Sequence, residues 1–313
     1  MIHIITNPVA GRGRSCEYLD ILIKLLEKNG IKCKPLVTEH AKQAYEIAKD
    51  ICLNVAHNQC SGIVGIGGDG TIQEIVAGMA AAYDNAKVAI PLGIFPGGSG
   101  NDFAMALEGG KKVYRKKYRK NMTDIAESLV AKIVRNSTRT IDLILANDEA
   151  YLVAANVGID ARIVHAAVDL KPKLGGSAYL AAVYKCIMRH RNINLEICID
   201  GEKIPQRDYT LIAVCNNRTY GGGLCIAPPA KFDDGKITVC LVEGMGRLKL
   251  GMLFPSILVE KHVHIKPVKI VECKKFSMTV PSGTETLCLD GNLSPAQGTI
   301  SFEILPQVLD VFA

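Results

Sequence analysis

The chain has 313 residues, of which 48% are hydrophobic and 22% carry a charge at neutral pH. This composition excludes an intrinsically disordered chain, and the length suits two modest domains better than one large core. The net charge of +6 is moderate and by itself indicates no particular partner.

The eleven cysteines are scattered along the chain, and no CxxC pair occurs. This scatter argues against a zinc site or a disulfide framework and favours reduced thiols. Residues 1–8 have the pattern of a first strand and not of a secretory signal. No uncharged apolar run approaches the roughly 18 residues of a transmembrane helix. We therefore expect a cytoplasmic protein, which would meet a membrane only at the membrane surface.

In the first half of the chain, short apolar segments alternate with segments of helical periodicity. The predicted strands are 2–6, 32–38, 62–66 and 88–95, and the predicted helices are 16–29, 41–56 and 72–82. Because this order is typical of parallel strands with connecting helices, we predict an α/β domain with an open, mostly parallel sheet over residues 1–140.

The second half is dominated by short apolar segments separated by turn residues. The predicted strands are 141–145, 151–157, 194–199, 209–215, 236–242, 268–272, 277–279 and 299–304, and the only predicted helices are 178–190 and 247–258. Many strands with few helices favour an all-β, sandwich-like domain over residues 141–305. Two architectures in one chain imply a cleft between them, which is a usual place for a ligand.

Three glycine-rich turns follow predicted strands of the first domain, at residues 7–13, 67–71 and 96–102. They are expected to share the carboxyl edge of one parallel sheet, where open α/β folds bind ligands. Glycine lets the backbone approach phosphate oxygens closely, and a helix N-terminus offers unpaired N–H groups. Asp69 would repel phosphate unless a cation lies between them, which indicates magnesium.

The same turns exclude two common nucleotide-binding classes. None reads GxxxxGK[ST], which excludes a P-loop NTPase, and none is a GxGxxG with a ribose-binding acid at the right distance, which argues against a dinucleotide oxidoreductase. For an isolated GGDG, a purely structural glycine turn is the alternative interpretation.

The pair GGDGT at 67–71 and PGGSGNDF at 96–103 resembles the catalytic domain of the diacylglycerol kinase family, which includes bacterial lipid kinases and sphingosine kinases. Three further segments resemble parts of that family. Residues 140–143 resemble the start of its second domain, and residues 231–236 resemble its structural magnesium loop. Residues 289–292 resemble its Asp-Gly-Glu segment. The resemblance implies an ATP-dependent kinase that transfers the γ-phosphoryl group to the hydroxyl of diacylglycerol or a related lipid. It implies ATP and Mg²⁺ as cofactors and an active site in the cleft between the domains.

The resemblance also assigns residues. It implies that Asp69 engages the catalytic magnesium, that Asn101 and Asp102 belong to a supporting hydrogen-bond network, and that the tail 306–313 returns to the first domain. In the metal loop, it implies the side chain of Asp234 and the backbone carbonyls of Lys231 and Lys236 as ligands; an ordinary hairpin turn is the alternative there. The implied ATP contacts are Asn7, Pro8, Val9, Ala10, Gly11, Thr38, Gly67, Gly68, Asp69, Gly70, Thr71, Ile72, Gln73 and Ser99.

The chain departs from the family at Asn292, which stands where the family carries its general-base glutamate. An amide cannot accept a proton at physiological pH, and general-base assistance contributes roughly 10²–10⁴-fold. Phosphoryl transfer depends mostly on positioning and electrostatics, so activity could survive. Asp290 would share a face with Asn292 if the strand continued, and Asp142 and Glu285 are further candidate carboxylates; the sequence leaves the choice open.

Two alternatives to the lipid kinase follow. A catalytically impaired homologue that binds lipid or nucleotide would explain Asn292. An NAD kinase-like enzyme would share GGDGT, but the second glycine-rich turn argues against it, because that family carries Asn-Thr-Gly there.

Residues 109–120 carry seven basic side chains and no acidic one. The segment could be a solvated charged loop or a contact for anionic lipid headgroups, and no nucleic acid is expected because no recognition fold accompanies it. We expect a peripheral association with an anionic membrane surface, beside a lipid substrate, and the sequence leaves homo-oligomer formation open. The expected membrane contacts are Lys111, Lys112, Arg115, Lys116, Lys117, Arg119 and Lys120.

Overall fold

The structure is a computed structural model that describes residues 1–55, 59–84, 88, 90–98, 100–118, 121–174 and 178–313. For residues 12, 171–174 and 282–284 it describes the backbone alone. Ser99, Arg119 and Lys120, which the sequence predicts as contact residues, lie outside the described residues.

The first half of the chain forms a parallel sheet with helices on both faces. Its strands are β1 (Ile2–Thr6), β2 (Cys33–Val37), β3 (Gly62–Gly67) and β4 (Leu92–Pro96), in the spatial order β2-β1-β3-β4. Its helices are α1 (Ser15–Lys28), α2 (Gln43–Leu53), α3 (Asp69–Ala82), α4 (Asp102–Leu107), α5 (Lys111–Tyr118) and α6 (Met122–Val134). A 3₁₀ turn at Ala10–Gly13 precedes α1.

The alternation of side chains along the strands decides which helices cover each face. Ile2 of β1 clusters with Leu22 of α1 and Leu129 of α6, whereas Ile5 clusters with Ile75 of α3 on the other side. Because successive strand residues face opposite sides of a sheet, β1 is buried on both faces. This accounts for the continuous apolar runs from which the strands were predicted.

The second half consists mainly of antiparallel strands. They are β5 (Thr138–Ala146), β6 (Glu149–Tyr151), β7 (Ala154–Gly158), β8 (Ile193–Ile199), β9 (Glu202–Cys215), β10 (Thr219–Tyr220), β11 (Leu224–Cys225), β12 (Ile237–Glu243), β13 (Val268–Cys273), β14 (Lys275–Leu289) and β15 (Asn292–Phe312). The helices are α7 (Ile159–Leu174), α8 (Ala178–Met188) and α9 (Arg247–Leu258), with a 3₁₀ turn at His262–His264.

These strands bury different side chains on their two faces. Tyr151 and Phe302 belong to the apolar interior of the sandwich. On the other face, Leu211 of β9 and Cys240 of β12 cluster with Leu253 of α9, so the helices of this half cover that face. A parallel α/β domain followed by a β-sandwich-like domain is therefore confirmed as the fold class.

The last strand connects the two halves. Residues 309–312 of β15 pair antiparallel with residues 138–141 of β5, and Val311 also pairs in parallel with Leu92 of β4. Apart from the β10-β11 hairpin, the described strands of both halves form one hydrogen-bonded sheet. The candidate site lies where the carboxyl edge of the parallel strands meets the loops of the second half.

Several helices correct the sequence prediction. Helices α4, α5 and α6 were not predicted, and α7 lies in a region where only 178–190 and 247–258 were expected to be helical. Ile159, Ile163 and Ala166 of α7 are buried at helical spacing. The predicted strand 88–95 is shorter, because the amide of Val88 donates to the carbonyl of Val308 (2.7 Å) and regular pairing with β3 begins at Leu92.

Candidate active site

The second and third glycine-rich turns contact each other through their backbones. The amide of Gly97 donates a 2.7 Å hydrogen bond to the carbonyl of Gly67. A Cβ atom on Gly98 would overlap the Cα of Gly68. No side chain larger than that of glycine therefore fits at this position between the turns. The close approach leaves the backbone amides of both turns at one edge of the sheet.

The first glycine-rich turn joins this edge through Asn7. Its Nδ2 donates to Oγ1 of Thr71 (3.2 Å), and its Oδ1 accepts the amide of Val9 (3.2 Å). Thr38 lies at the same edge, because its amide donates to the carbonyl of Thr6 (2.9 Å). The structure thus brings together the segments predicted to contact ATP, which also contain Pro8, Ala10, Gly11, Gly67, Gly68, Gly70, Ile72 and Gln73.

Asp69 is the first residue of α3, and its carboxylate is held by the opposite turn. Oδ2 accepts the amide of Asn101 (2.7 Å) and Oδ1 accepts the amide of Asp102 (2.8 Å). A Cβ on Gly100 would lie 2.5 Å from Oδ2, so only glycine allows this approach. Burial, and after it the charge of Asp102, raises the pKa of Asp69 to about 6, against the effect of the amide hydrogen bonds.

Asp102 is buried at the start of α4 and reaches the second half of the chain. Its Oδ2 accepts the amide of Gly222 (2.9 Å), whereas its Oδ1 is buried and has no hydrogen-bond partner among the described residues. Burial raises the pKa of Asp102, and the amides around Gly222 oppose that shift. A buried, unpaired carboxylate oxygen beside a second carboxylate fits a hard cation such as Mg²⁺.

Asn101 fixes the turn that holds Asp69. It has a left-handed backbone (φ +57°), its Oδ1 accepts the amide of Gly98 (2.8 Å), and its Nδ2 donates to the carbonyl of Gly98 (2.9 Å). Asparagine adopts this conformation more readily than most residues. Asn101 and Asp102 are thus hydrogen-bonded to Asp69, and their supporting role in catalysis stays a prediction.

A small cavity of about 10 Å³ lies between the two halves at this place. The first half contributes Asp69 and Asn101 to its wall, and the second half contributes Leu152, Val153 and Asp290. The predicted cleft between the two architectures therefore contains the carboxylate that opens α3.

Asp290 does not share a strand face with Asn292, which corrects the sequence expectation. Asp290 and Gly291 form the turn between β14 and β15, and both have positive φ. The Asp290 carboxylate folds back and accepts the amides of Leu152 (2.8 Å), Val153 (2.9 Å) and Ala154 (2.8 Å). Burial raises its pKa to about 7, with the three hydrogen bonds acting in the opposite direction.

The structure does not bring the other two candidate carboxylates to Asn292 either. Asp142 is fully buried and accepts the amides of Gly235 (2.7 Å) and Gln307 (2.7 Å). Glu285 forms an ion pair with Arg162 (2.6 Å). Both carboxylates have structural partners of their own.

Asn292 itself faces the start of α3. Its Nδ2 donates to Oε1 of Gln73 (2.7 Å), and Nε2 of Gln73 donates to Oε1 of Glu149 (2.6 Å). A Cβ on Gly70 would lie 3.1 Å from Oδ1 of Asn292. The sequence did not identify Glu149, since an exposed acidic residue next to a tight turn gives no indication that it bonds to Gln73.

The predicted metal loop is a tight turn attached to Asp142. The amide of Gly235 donates to Asp142, as described above, and the amide of Lys236 donates to Oδ1 of Asp234 (3.1 Å). Burial is the largest cause that raises the pKa of Asp234, and the carboxylates of Glu272 and Asp142 add to it. This local negative charge suits a cation, although no group of three or more metal-binding side chains occurs within the described ranges. Lys231, the other predicted backbone ligand, precedes the turn.

The basic segment is helical, as α5, and its side chains divide into two groups. Nζ of Lys111 donates to the carbonyl of Gly222, and Lys117 forms an ion pair with Glu108 (2.6 Å), so both have partners within the chain. Lys112, Arg115 and Lys116 are exposed, and the side chain of Lys117 is also 46% exposed despite its ion pair. In the part of the chain that the structure describes, no helix is long and apolar enough to cross a bilayer.

A second, larger cavity of about 50 Å³ lies under α7, α8 and α9. Its wall is mostly apolar and includes Ile163, Val183, Leu253, Phe254 and Val268. The sequence analysis missed this cavity, because its wall combines residues from helices and strands distant in sequence.

One end of this cavity lies close to the carboxylate cluster. Tyr179 lines the cavity, and its hydroxyl would be 3.8 Å from a Cβ on Gly221, the neighbour of the residue that donates to Asp102. Asp160 also lines the cavity. Burial raises the pKa of Asp160 and of Tyr179, and the charges of Asp160 and Asp102 add to the shift at Tyr179.

Comparison with known proteins assigns both halves. The family model described as Diacylglycerol kinase catalytic domain matches residues 1–146, and the one described as YegS C-terminal NAD kinase beta sandwich-like domain matches residues 153–313. A crystal structure of a diacylglycerol kinase from Bacillus anthracis superimposes with a TM-score of 0.74 at 21% identity, covering 99% of this chain and 96% of that one. This likeness supports the fold.

Two curated relatives align over most of their length. A diacylglycerol kinase of Mycobacterium tuberculosis is 29% identical over 282 residues, which are 88% of this chain and 84% of that protein. A diacylglycerol kinase of Staphylococcus aureus is 28% identical over 313 residues, which are 99% of this chain and 91% of that protein. With both family models matched in order, the chain belongs to the diacylglycerol kinase catalytic-domain family, a family of lipid kinases.

Proposed function

We propose that this chain uses ATP to phosphorylate the hydroxyl group of diacylglycerol or a related lipid, in the cleft between its two halves. The observation that carries the proposal is the adjacency of two unlike sites. Glycine-rich turns and the carboxylate of Asp69 lie at the sheet edge, and a largely apolar cavity, whose wall includes Tyr179, lies nearby. A phosphate donor and a lipid acceptor need such neighbouring sites.

The nucleotide would bind at the sheet edge. Backbone amides of the three turns and the N-terminus of α3 offer donors to phosphate oxygens. Asp69 and Asp102 would hold the magnesium ion, because their neighbouring carboxylates and the unpaired Oδ1 of Asp102 suit a cation. When bound, magnesium would neutralise negative charge on the phosphoryl group. A second, structural ion would be held at Asp234, with the backbone carbonyls of Lys231 and Lys236.

The lipid would enter from the second half. Each buried CH₂ group contributes about 0.8 kcal/mol, so the largely apolar wall of this cavity would favour an acyl chain over a polar ligand. Lys112, Arg115 and Lys116 would attract anionic headgroups by about 1 kcal/mol each. Helices α8 and α9, which line the cavity, expose Leu180 and Leu248 by 67% and 87%, and such exposed apolar surface suits a bilayer.

The second candidate function is a catalytically impaired homologue that binds nucleotide or lipid. The observation in its favour is that none of the candidate carboxylates lies beside Asn292 to replace the general base. Asp142, Asp290 and Glu285 are all bonded to other parts of the chain. No carboxylate among the described residues bonds directly to Asn292.

The test is incubation with γ-labelled ATP, magnesium and vesicles that contain diacylglycerol, monoacylglycerol or a sphingoid base in turn. We expect label in an extracted lipid, and its loss with Asp69→Asn. ATP binding without label in any lipid would support the impaired homologue, and label in added NAD would support the NAD kinase-like alternative.

A further inference from the structure

We infer that Glu149 is a positioning residue, which acts through Gln73 to fix the side-chain amide of Asn292. In this arrangement the carbonyl oxygen of Asn292 faces the start of α3, where it accepts a hydrogen bond from the substrate hydroxyl. The last step rests on the proposed function, whereas the orientation of the amide does not.

The carboxylate of Glu149 determines the direction of the first hydrogen bond. An ionised carboxylate can only accept, so Gln73 must present its Nε2 to it. The separation of 2.6 Å is short for a nitrogen donor, as expected for a hydrogen bond to a charged acceptor. Side-chain amides are ordinarily ambiguous between oxygen and nitrogen, and Glu149 removes that ambiguity.

The direction of the second bond follows from the first. With Nε2 of Gln73 committed to Glu149, its Oε1 faces Asn292 and requires a donor. Asn292 therefore presents Nδ2, at 2.7 Å, and its Oδ1 is left on the other side. There it lies 3.1 Å from the place of a Cβ on Gly70, in the helical turn that Asp69 begins.

Burial of Gln73 makes this arrangement difficult to reverse. Only 1% of Gln73 is exposed, so both ends of its amide depend on Glu149 and Asn292 for hydrogen bonds. Leaving a buried polar group unpaired costs about 1–3 kcal/mol. Glu149 and Asn292 are themselves exposed, so water reaches the carboxylate of Glu149.

The backbone fixes the position of Glu149. It begins β6 and pairs with Ala146 of β5 across the short turn Asn147–Asp148, and Asn147 closes that turn with a left-handed backbone (φ +50°). Asn147 also accepts the amide of Ser301 (3.0 Å). The hairpin is therefore anchored to β15, the strand that begins with Asn292.

The consequence for catalysis is positional. An amide oxygen cannot take the proton of the lipid hydroxyl, but it can hold the hydroxyl oxygen in line with the phosphoryl group, which accounts for much of the catalysis of phosphoryl transfer. If the side-chain amide of Asn292 were turned over, it would present an N–H group to the lipid hydroxyl, and an N–H group cannot accept the hydroxyl hydrogen.

The arrangement makes an unusual prediction for a carboxylate at position 292. Such a carboxylate would face Oε1 of Gln73, so two acceptors would meet. Glu149→Gln would let the amide of Gln73 turn over and donate to the new carboxylate. The same substitution should therefore impair the native chain and improve Asn292→Asp.

The first experiment measures kcat and KM for the lipid in the native chain, Glu149→Gln, Asn292→Asp and the double variant. Asp148→Asn, which removes the neighbouring exposed charge, is the matched control. We expect Glu149→Gln to lower kcat about tenfold, equivalent to one hydrogen bond. In the Asn292→Asp background it should raise kcat. Equal effects in both backgrounds, or an equal effect of Asp148→Asn, would overturn the inference.

The second experiment does not depend on turnover. The side-chain amide signals of Gln73 and Asn292 are assigned in ¹⁵N-labelled protein from their loss in Gln73→Glu and Asn292→Asp. We expect Glu149→Gln to move both signals and Asp148→Asn to move neither; an unmoved Asn292 signal would overturn the orientation. If the signals move but the native chain labels no lipid, the orientation stands, whereas the proposed function and the hydroxyl contact fail.

Discussion

The carboxylates of Asp69 and Asp102 come together at the first residues of two helices, and the amide of Asp102 donates a 2.8 Å hydrogen bond to Asp69. Burial and the charge of Asp102 together raise the pKa of Asp69. Neighbouring carboxylates repel each other when no cation lies between them. The removal of either is therefore expected to impair cation binding more than folding.

Asp69→Asn is expected to abolish kinase activity while the chain stays folded. Asp69→Ala would leave the amides of Asn101 and Asp102 without an acceptor, at about 1–3 kcal/mol for a buried unpaired group, so asparagine is the cleaner change. Turnover and the melting temperature are measured beside Asp20→Asn, an exposed aspartate on α1. Native turnover in Asp69→Asn would reject the assignment.

The pKa of Asp69 predicts an acid limit on activity. The ionised carboxylate is the form that holds a cation, so kcat/KM for MgATP should fall as the pH drops through about 6. Without magnesium, stability should change with pH in the opposite direction to activity. Because the pKa of Asp69 is raised from 3.8 to about 6, the folded state holds the proton more tightly than the unfolded state. The free energy of unfolding should therefore decrease as the pH rises from about 4 to 6. Excess magnesium should shift the activity limit to lower pH, and a limit that ignores magnesium would contradict this role.

Asp234→Ala is expected to weaken magnesium binding and to lower the melting temperature in magnesium-containing buffer, because the folded state would lose a stabilising ligand. Asp233→Ala is the matched control. It removes the exposed ion pair with Arg139, worth about 1 kcal/mol or less, irrespective of magnesium. If chelator leaves the native melting temperature unchanged, no structural ion is held at this loop.

Neutralising Lys112, Arg115 and Lys116 with glutamine is expected to reduce binding to anionic vesicles without changing ATP affinity. Added salt should have the same effect on the native chain, since exposed charges are screened over about 8 Å at physiological ionic strength. Lys117→Gln is the contrasting variant, because the charge of Lys117 is already paired with Glu108. Equal binding to neutral and anionic vesicles would count against the basic segment.

The sequence predicted the convergence of the glycine-rich turns for a general reason. The turns at Gly67 and Gly97 each follow a buried strand, and parallel strands end at one edge. The sequence could not predict the direction in which the Asp290 side chain points, because that direction depends on a turn whose residues have positive φ. Glu149 was beyond reach as well, since its partner Gln73 is 76 positions away and only the packing of β6 on α3 joins them.

Helix prediction failed for a local reason in the second half. Ile159, Ile163 and Ala166 have helical spacing, but α7 follows the buried strand β7 directly, and isoleucine and valine also favour strands. Burial in the cavity wall decides between the two states, and burial is not visible in the sequence.

The last prediction concerns Asn292→Glu. If the native chain lacks a general base, it should be slow on lipid, and the new carboxylate should raise kcat by at most the roughly 10²–10⁴-fold of general-base assistance. Oε1 of Gln73 opposes a carboxylate at this place, so the gain should be larger when Glu149→Gln is added. Turnover of the native, single and double variants on one lipid at several pH values measures this. Fast native turnover that Asn292→Glu leaves unchanged would reject the impaired-enzyme alternative, because positioning would then suffice. Absence of turnover in every form, with ATP still bound, would instead support a binding protein.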